Sequence, residues 1–95
     1  MERRKRAKLN KDTVQGAKFA TAGQYEILDT VRSGFYLKVG KGTKTFFFRR
    51  EEPDADGIRK TVHYKLGRFP DVTCEAARAR VDEMVGEVAG RKLRG

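Results

Sequence analysis

Apolar and polar residues alternate most regularly between Phe35 and Leu66, and that stretch predicts the fold. In Phe35-Tyr36-Leu37-Lys38-Val39 the period of two puts Phe35, Leu37 and Val39 on one face and Tyr36 and Lys38 on the other, as in a half-buried strand. Gly40-Lys41-Gly42-Thr43 supplies residues tolerant of positive φ, which a tight hairpin between twisted strands requires. The second strand, Lys44 to Arg50, sends Phe46 and Phe48 to the core and Thr45, Phe47 and Arg49 to the opposite face. An outward Phe47 either packs under the N-terminal segment or meets an apolar group on a partner. Pro, Asp and Gly content makes Glu51 to Gly57 a loop. Arg59 to Leu66 is then the third strand, with Val62, Tyr64 and Leu66 inward and Thr61, His63 and Lys65 outward.

After Pro70 the period changes. Thr73 suits an N-cap, Glu75 falls where a helix dipole favours an acid, and Cys74, Ala77, Val81, Met84, Val85 and Val88 recur at helical spacing. These residues predict an amphipathic helix of about four to five turns, stopped by Gly90. Upstream, Met1 to Lys11 holds Arg3, Arg4, Lys5, Arg6, Lys8 and Lys11 against only Glu2 and has no apolar period, which predicts a flexible tail. Asn10 caps a brief helix through Thr13, Val14 and Ala17, and Tyr25 to Asp29 is a short edge strand. The expected architecture is α+β, a three-stranded antiparallel sheet packed on a C-terminal helix, with the short N-terminal helix and the edge strand as optional additions. The expected division is a basic tail over 1–9, a binding domain over 10–89 and the start of a basic linker over 90–95.

Composition narrows the chemistry. A chain of 95 residues with 38% apolar content has room for one domain with a thin core. Cys74 is the sole cysteine, which excludes an internal disulfide, and no apolar segment follows the basic start, so the expected compartment is a reducing cytoplasm. No run is long enough to cross a membrane, and one histidine with one cysteine does not make a usual zinc site, so no metal, cofactor or small-molecule substrate is expected.

The formal charge of +9 predicts an anionic partner, and its placement says which surface meets it. Residues 36–50 carry Lys38, Lys41, Lys44, Arg49 and Arg50 and no acid, and residues 59–68 carry Arg59, Lys60, Lys65 and Arg68 and no acid. The helix holds Glu75, Asp82, Glu83 and Glu87 against Arg78 and Arg80, a poor sign for lying beside phosphate. The sheet is therefore the expected binding face and the helix its support. Tyr36, Lys38, Thr45, Phe47, Arg49, Thr61, His63 and Lys65, with Lys41 and Lys44 at the hairpin, form the candidate DNA-binding set, mixing cations for phosphates, donors for base edges and apolar groups for a thymine methyl. The bland alternative, a merely solvated sheet face, normally mixes charge signs. The acidic residues Glu51 to Asp56 must then point away from phosphate. His63 has no Ser, Cys or carboxylate at a spacing that suggests a catalytic partner, and Cys74 lies on the apolar stripe as a small core residue. The N-terminal basic cluster is either a solubilising tail or an arm reaching phosphates or a neighbouring minor groove.

The order of Asp29-Thr30, Gly34-Phe35-Tyr36-Leu37-Lys38-Val39, Lys44-Thr45-Phe46, Leu66-Gly67-Arg68-Phe69-Pro70, Thr73 and Ala77-Arg78 resembles the N-terminal arm-type DNA-binding domain of phage and prophage integrases of the tyrosine recombinase class. The likeness runs from about Leu9 to Val88, and its most specific part is the Leu-Gly-Arg-Phe-Pro turn leading to Thr73 and Ala77-Arg78. It departs at Phe35 and Cys74, where leucine is usual, and in its acidic hairpin loop. The resemblance implies a sheet inserted into the major groove of arm-type sites in double-stranded DNA, on the nucleoid of a bacterial cell or phage-infected host. It implies a parent integrase whose catalytic tyrosine lies in a later domain, so that this chain binds and does not cut. The rival expectations are an RNA-binding or ribosome-associated basic module, and an interaction domain that docks on an acidic protein or on its own parent chain.

Overall fold

The computed structural model describes residues 4–94, with side chains described as far as residue 86. The element order is β1 (Arg4–Ala7), α1 (Lys11–Gly16), β2 (Tyr25–Asp29), β3 (Phe35–Val39), β4 (Lys44–Pro53), β5 (Arg59–Phe69) and α2 (Cys74–Arg94). The strands form one sheet in sequential order, with β1 parallel to β2 and every later pair antiparallel. The class is α+β as expected, but the sheet has five strands where three were expected, and there are two helices.

Both additional strands lie at the β1–β2 side. Tyr25–Asp29 is a strand as expected and pairs with β3, but it is not an edge: β1 lies on its other side, so that expectation is corrected. Arg4–Ala7, read from sequence as part of a flexible tail, pairs along β2 from Arg4 opposite Glu26 to Ala7 opposite Asp29. Its sequence alone gives no reason to be a strand; the unpaired N–H and C=O groups of the β2 edge supply the partner. Leu9, just beyond, is buried in the core, and Asn10 caps α1 by accepting a 2.8 Å hydrogen bond from the Thr13 N–H.

The core is one layer between the sheet's inner face and the helices. Phe35, Leu37, Val39, Phe46 and Phe48 from the sheet meet Val14 of α1 and Cys74, Ala77 and Val81 of α2. Phe35 and Phe46 stack with centroids 6.0 Å apart. Thr73 caps α2, its hydroxyl accepting from the Ala76 N–H at 3.1 Å. Gly90 does not stop the helix, which continues to Arg94; an internal glycine costs a helix only about 1 kcal/mol relative to alanine.

A buried ion pair ties the N-terminal segment, β2 and α2 together. The Asp29 carboxylate, with its side chain fully buried, accepts from both Arg78 guanidinium nitrogens at 2.9 and 3.1 Å, from the Leu9 N–H at 2.9 Å and from the Arg32 N–H at 2.7 Å. Arg78 also donates to the Leu9 carbonyl at 2.6 Å and lies over the Phe35 ring. Burial alone pushes the Asp29 carboxyl up, but the Arg78 guanidinium and the two N–H donors outweigh it and hold the group below its ordinary value.

Two glycines are required by space. Gly34 has φ +90°, and a Cβ there would sit 2.2 Å from the Arg49 carbonyl oxygen. Gly67 has φ +143°, and its Cβ would fall 2.3 Å from Val72 Cγ2 in the turn that leads into α2. By contrast, neither Gly40 nor Gly42 of the β3–β4 hairpin has positive φ, so the expected reason for those glycines is corrected. The hairpin closes through a Gly40 N–H bond to the Thr43 carbonyl at 2.8 Å, and Gly40 carries no side chain where a Cβ would come within 2.9 Å of the Thr43 hydroxyl.

The β4–β5 hairpin is longer than the sequence suggested. Pairing continues to Pro53 opposite Arg59, past the end of β3, so that Glu51 to Pro53 belong to a projecting ribbon and only Asp54 to Gly57 turn. Side-chain contacts accompany the backbone pairing of this run: Glu51 with Arg59 across the ribbon, and Glu52 with Arg50 on its own strand and the Tyr64 hydroxyl across. Asp54 accepts from the N–H groups of Ile58 and Asp56, which hold its carboxyl below the usual range, and it also pairs with Lys60 at 3.4 Å.

Candidate nucleic-acid interface

Register settles which side chains share the face opposite the helices. Tyr36 is level with Phe47 and Phe47 with Lys65; Lys38 is level with Thr45 and Thr45 with Arg68; Arg49 is level with His63, and Glu51 with Thr61. On the other side Arg4 lies beside Glu26, which is level with Lys38, and Arg6 lies beside Leu28, which is level with Tyr36. The structure thus brings together Tyr36, Lys38, Thr45, Phe47, Arg49, Thr61, His63 and Lys65 on one outer face. Lys41 is exposed at the hairpin end of the same sheet.

Lys44 is the exception, and its place in the candidate set is corrected. It is 6% exposed on the inner side, where its ammonium donates to the Val14 and Gln15 carbonyls at 2.7 and 3.3 Å and lies near the rings of Phe19 and Phe69. It serves α1, whose last carbonyls have no partner within the helix.

Arg68, Arg4 and Arg6 were not in the candidate set and lie on the outer face. Arg68 arrives there through a bulge: Phe46 is level with Gly67 and Phe47 with Lys65, so Leu66 is an extra residue that shifts the alternation by one. Without it Arg68 would turn inward. Arg4 and Arg6 follow from β1 joining the sheet, with Arg4 paired to Glu26 at 3.3 Å.

Aromatic packing organises the middle of the face. Tyr36 and Phe47 stack with centroids 5.4 Å apart and planes 11° from parallel, and the Lys38 ammonium lies 5.2 Å from the Phe47 centroid. Phe47 therefore packs neither under the N-terminal segment nor wholly in the open; it covers Tyr36, which is only 2% exposed. The Tyr36 hydroxyl meets His63 Nδ1 at 2.9 Å, and burial together with nearby Glu26 pushes the phenol up, keeping it protonated. Arg4, Arg49, Thr61 and His63 line one shallow hollow beside this cluster.

The electrostatic character of the face comes from an excess of cations: its acids Glu26 and Glu51 are each paired, to Arg4 and Arg59, and the expectation that Glu51 points away from the face is corrected, since it lies level with Thr61. Lys38, Arg49, Lys65 and Arg68 make no ion pair among the described residues, whereas Glu51, Glu52 and Asp54 each have a cationic partner within the hairpin. On the helix side Asp82 is bound by Arg32 at 2.6 Å, and Glu83 by Arg80. The arrangement favours a polyanion at the outer face over one at the helix.

The Arm DNA-binding domain family matches residues 9–92. The chain belongs to that family. The match spans the fold from Leu9, buried in the core, into the second half of α2, and DNA binding is the general property that family membership brings to the arm domain. No curated protein and no solved structure matches the chain. Within this arm domain, no group of three or more metal-ligating side chains occurs among the described residues, and no helix is long and apolar enough to cross a membrane. Cys74 is a buried free thiol pushed up by burial, at the start of α2 under the core.

Proposed function

We propose that this arm domain binds double-stranded DNA sequence-specifically by laying the outer face of its sheet in the major groove, and that it anchors a tyrosine-recombinase integrase at arm-type sites during site-specific recombination. The observation that carries the proposal is the gathering of Lys38, Arg49, Lys65 and Arg68 around the Tyr36–Phe47 stack on the one face that no helix covers among the described residues. The major groove admits a β-ribbon. Lys38, Arg49 and Lys65 meet phosphates or base edges, Thr45, Thr61 and His63 supply hydroxyl and ring donors, Phe47 offers an apolar edge to a thymine methyl, and Lys41 reaches phosphate at the hairpin end. In this reading the chain holds DNA without cutting it, the catalytic tyrosine belongs to another domain of the parent integrase, and the site of action is the nucleoid of a bacterial cell or an infected host.

The rival RNA reading asks the aromatic residues of a sheet to stack on unpaired bases. Tyr36 is buried beneath Phe47, and Phe47 has Lys38 over it, so neither ring offers the open face that stacking needs. The deciding experiment is a competition titration between random duplex DNA and structured RNA at several salt concentrations. Neutralising about five to eight phosphates gives a slope of log affinity against log salt of about −4 to −7 with duplex preferred. A slope near zero, or preference for RNA, contradicts the proposal.

A further inference from the structure

The Tyr36–His63 contact does more than pack the face. Tyr36 cannot swing away: its ring lies under Phe47, edge-on to the His63 ring with centroids 6.1 Å apart, and its hydroxyl is fixed 2.9 Å from Nδ1. A neutral imidazole has one donor nitrogen and one acceptor nitrogen, and its bare nitrogen is a much stronger acceptor than a phenol oxygen. The phenol O–H therefore donates, Nδ1 accepts, and the proton of the neutral ring sits on Nε2. His63 is exposed in the hollow with Arg4, Arg49 and Thr61, and its ring's far side, carrying Nε2, looks away from Tyr36. The charged groups around the pair are Arg4 and Glu26 from the β1–β2 side, Arg49, Arg50 and Glu51 from β4, the last already paired to Arg59, and Lys65 from β5.

Resting on the DNA reading above, we propose that Tyr36 is a positioning residue that fixes His63 as an Nε2–H donor, and that this donor makes the arm domain discriminate against cytosine at one base position of its site. The chemistry is specific. Guanine, adenine and thymine each present an acceptor in the major groove, as N7 and O6, as N7, and as O4, whereas cytosine presents only its amino donor. A ring free to choose its tautomer would meet that amino group with a bare nitrogen and tolerate cytosine. A fixed Nε2–H meets it donor against donor.

The experiment has two arms. Long-range proton–nitrogen correlation of the histidine ring in the free protein reads the tautomer without any DNA; the expected signal is protonated Nε2 and bare Nδ1 in wild type, and a mixture of tautomers in Tyr36→Phe, which keeps the Phe47 stack. Sites selected from a randomised duplex pool by wild type and by variants read specificity. Wild type is expected to disfavour cytosine at one position by roughly tenfold or more, Tyr36→Phe to reduce that preference towards unity with the salt slope unchanged, and His63→Gln, whose amide nitrogen can stand near Nε2, to retain more of it than His63→Asn. A wild-type ring protonated on Nδ1, or a Tyr36→Phe pool with the wild-type preference, overturns the inference while leaving DNA binding in place. A pool from which wild type selects no site overturns the DNA reading and this readout together, while the tautomer signal reports separately on the contact itself.

Discussion

Two sets of cations in this small domain look alike in sequence and do different work. Arg78, Lys44 and Arg50 are spent on the protein: Arg78 on the buried Asp29 carboxylate, Lys44 on the carbonyls of α1, Arg50 on Glu52 with the rings of Phe48 and Tyr64 close by. Lys38, Arg49, Lys65 and Arg68 lie on the opposite face and make no ion pair among the described residues. Total charge does not tell the two apart; facing does. A cation whose partner lies inside the fold has little left to give an external phosphate, and its loss leaves buried groups stranded, whereas loss of an outer cation leaves the fold intact and weakens the complex.

The largest separation is expected at Arg78. Arg78→Ala strands the Asp29 carboxylate in the core and removes a donor from the Leu9 carbonyl, at a cost of about 3–5 kcal/mol, enough to unfold much of so small a domain and visible as a lowered urea midpoint. The same pair sets the acid limit. Asp29 holds its charge to lower pH in the fold than in the unfolded chain, so its stabilisation is fully present above the ordinary carboxylate range and is lost as pH falls through the depressed folded value. Thermal melts from neutral pH downward should lose stability there in wild type, and Asp29→Asn should flatten that loss.

Next in size is Arg49→Ala. It is expected to weaken duplex binding by about 1–3 kcal/mol with relaxed preference at one base pair, or uniformly across sequences if the contact is to phosphate, while the urea midpoint stays at the wild-type value. A matched pair of lysines sharpens the contrast further. Lys44→Met should lower stability by about 1–2 kcal/mol, the cost of leaving the Gln15 carbonyl without its side-chain donor and the Val14 carbonyl with only the 3.4 Å Ala17 N–H, and leave the salt slope unchanged. Lys65→Met should shift stability by less than about 0.5 kcal/mol and reduce the salt slope by about one. The smallest effect is expected at Glu51→Gln, which breaks an exposed pair with Arg59; exposed pairs contribute little, so the unfolding midpoint should hold and affinity should rise slightly as a carboxylate leaves the neighbourhood of phosphate.

Much of this was legible from alternation. The parity of Phe35 to Val39, Phe46 to Phe48 and Val62 to Leu66 predicts three strands, their inner face and most of the outer one, because a period of two survives wherever one face is buried. The same parity that turns Phe46 and Phe48 inward turns Lys44 inward too, so its burial was readable and was obscured by grouping lysines with the hairpin. Other features leave no trace in a local pattern. Arg4–Ala7 becomes a strand because an edge is available, not because its residues favour one. Arg68 faces outward because Leu66 bulges, beside Gly67, where a Cβ would strike Val72. Tyr36 is on the outer face yet buried, since what covers it is the neighbouring Phe47 rather than the core. Four of the residues that carried the family resemblance, Asp29, Gly34, Gly67 and Arg78, hold the fold together: two form the buried ion pair and two fit where no side chain has room. The same motifs also carry Tyr36, Lys38, Thr45 and Arg68 of the outer face, whereas Phe47, Arg49, Thr61, His63 and Lys65 lie outside them.

The central claim is that the uncovered sheet face, and not α2, meets DNA. Amide chemical-shift mapping with a pool of random duplexes tests it most directly, since the pool needs no knowledge of the site. The account predicts shifts concentrated at Lys38, Thr45, Phe47, Arg49, His63, Lys65 and Arg68, with Glu75, Asp82 and Glu83 of α2 unmoved. Shifts that gather on α2 and leave β3 to β5 unchanged would contradict it.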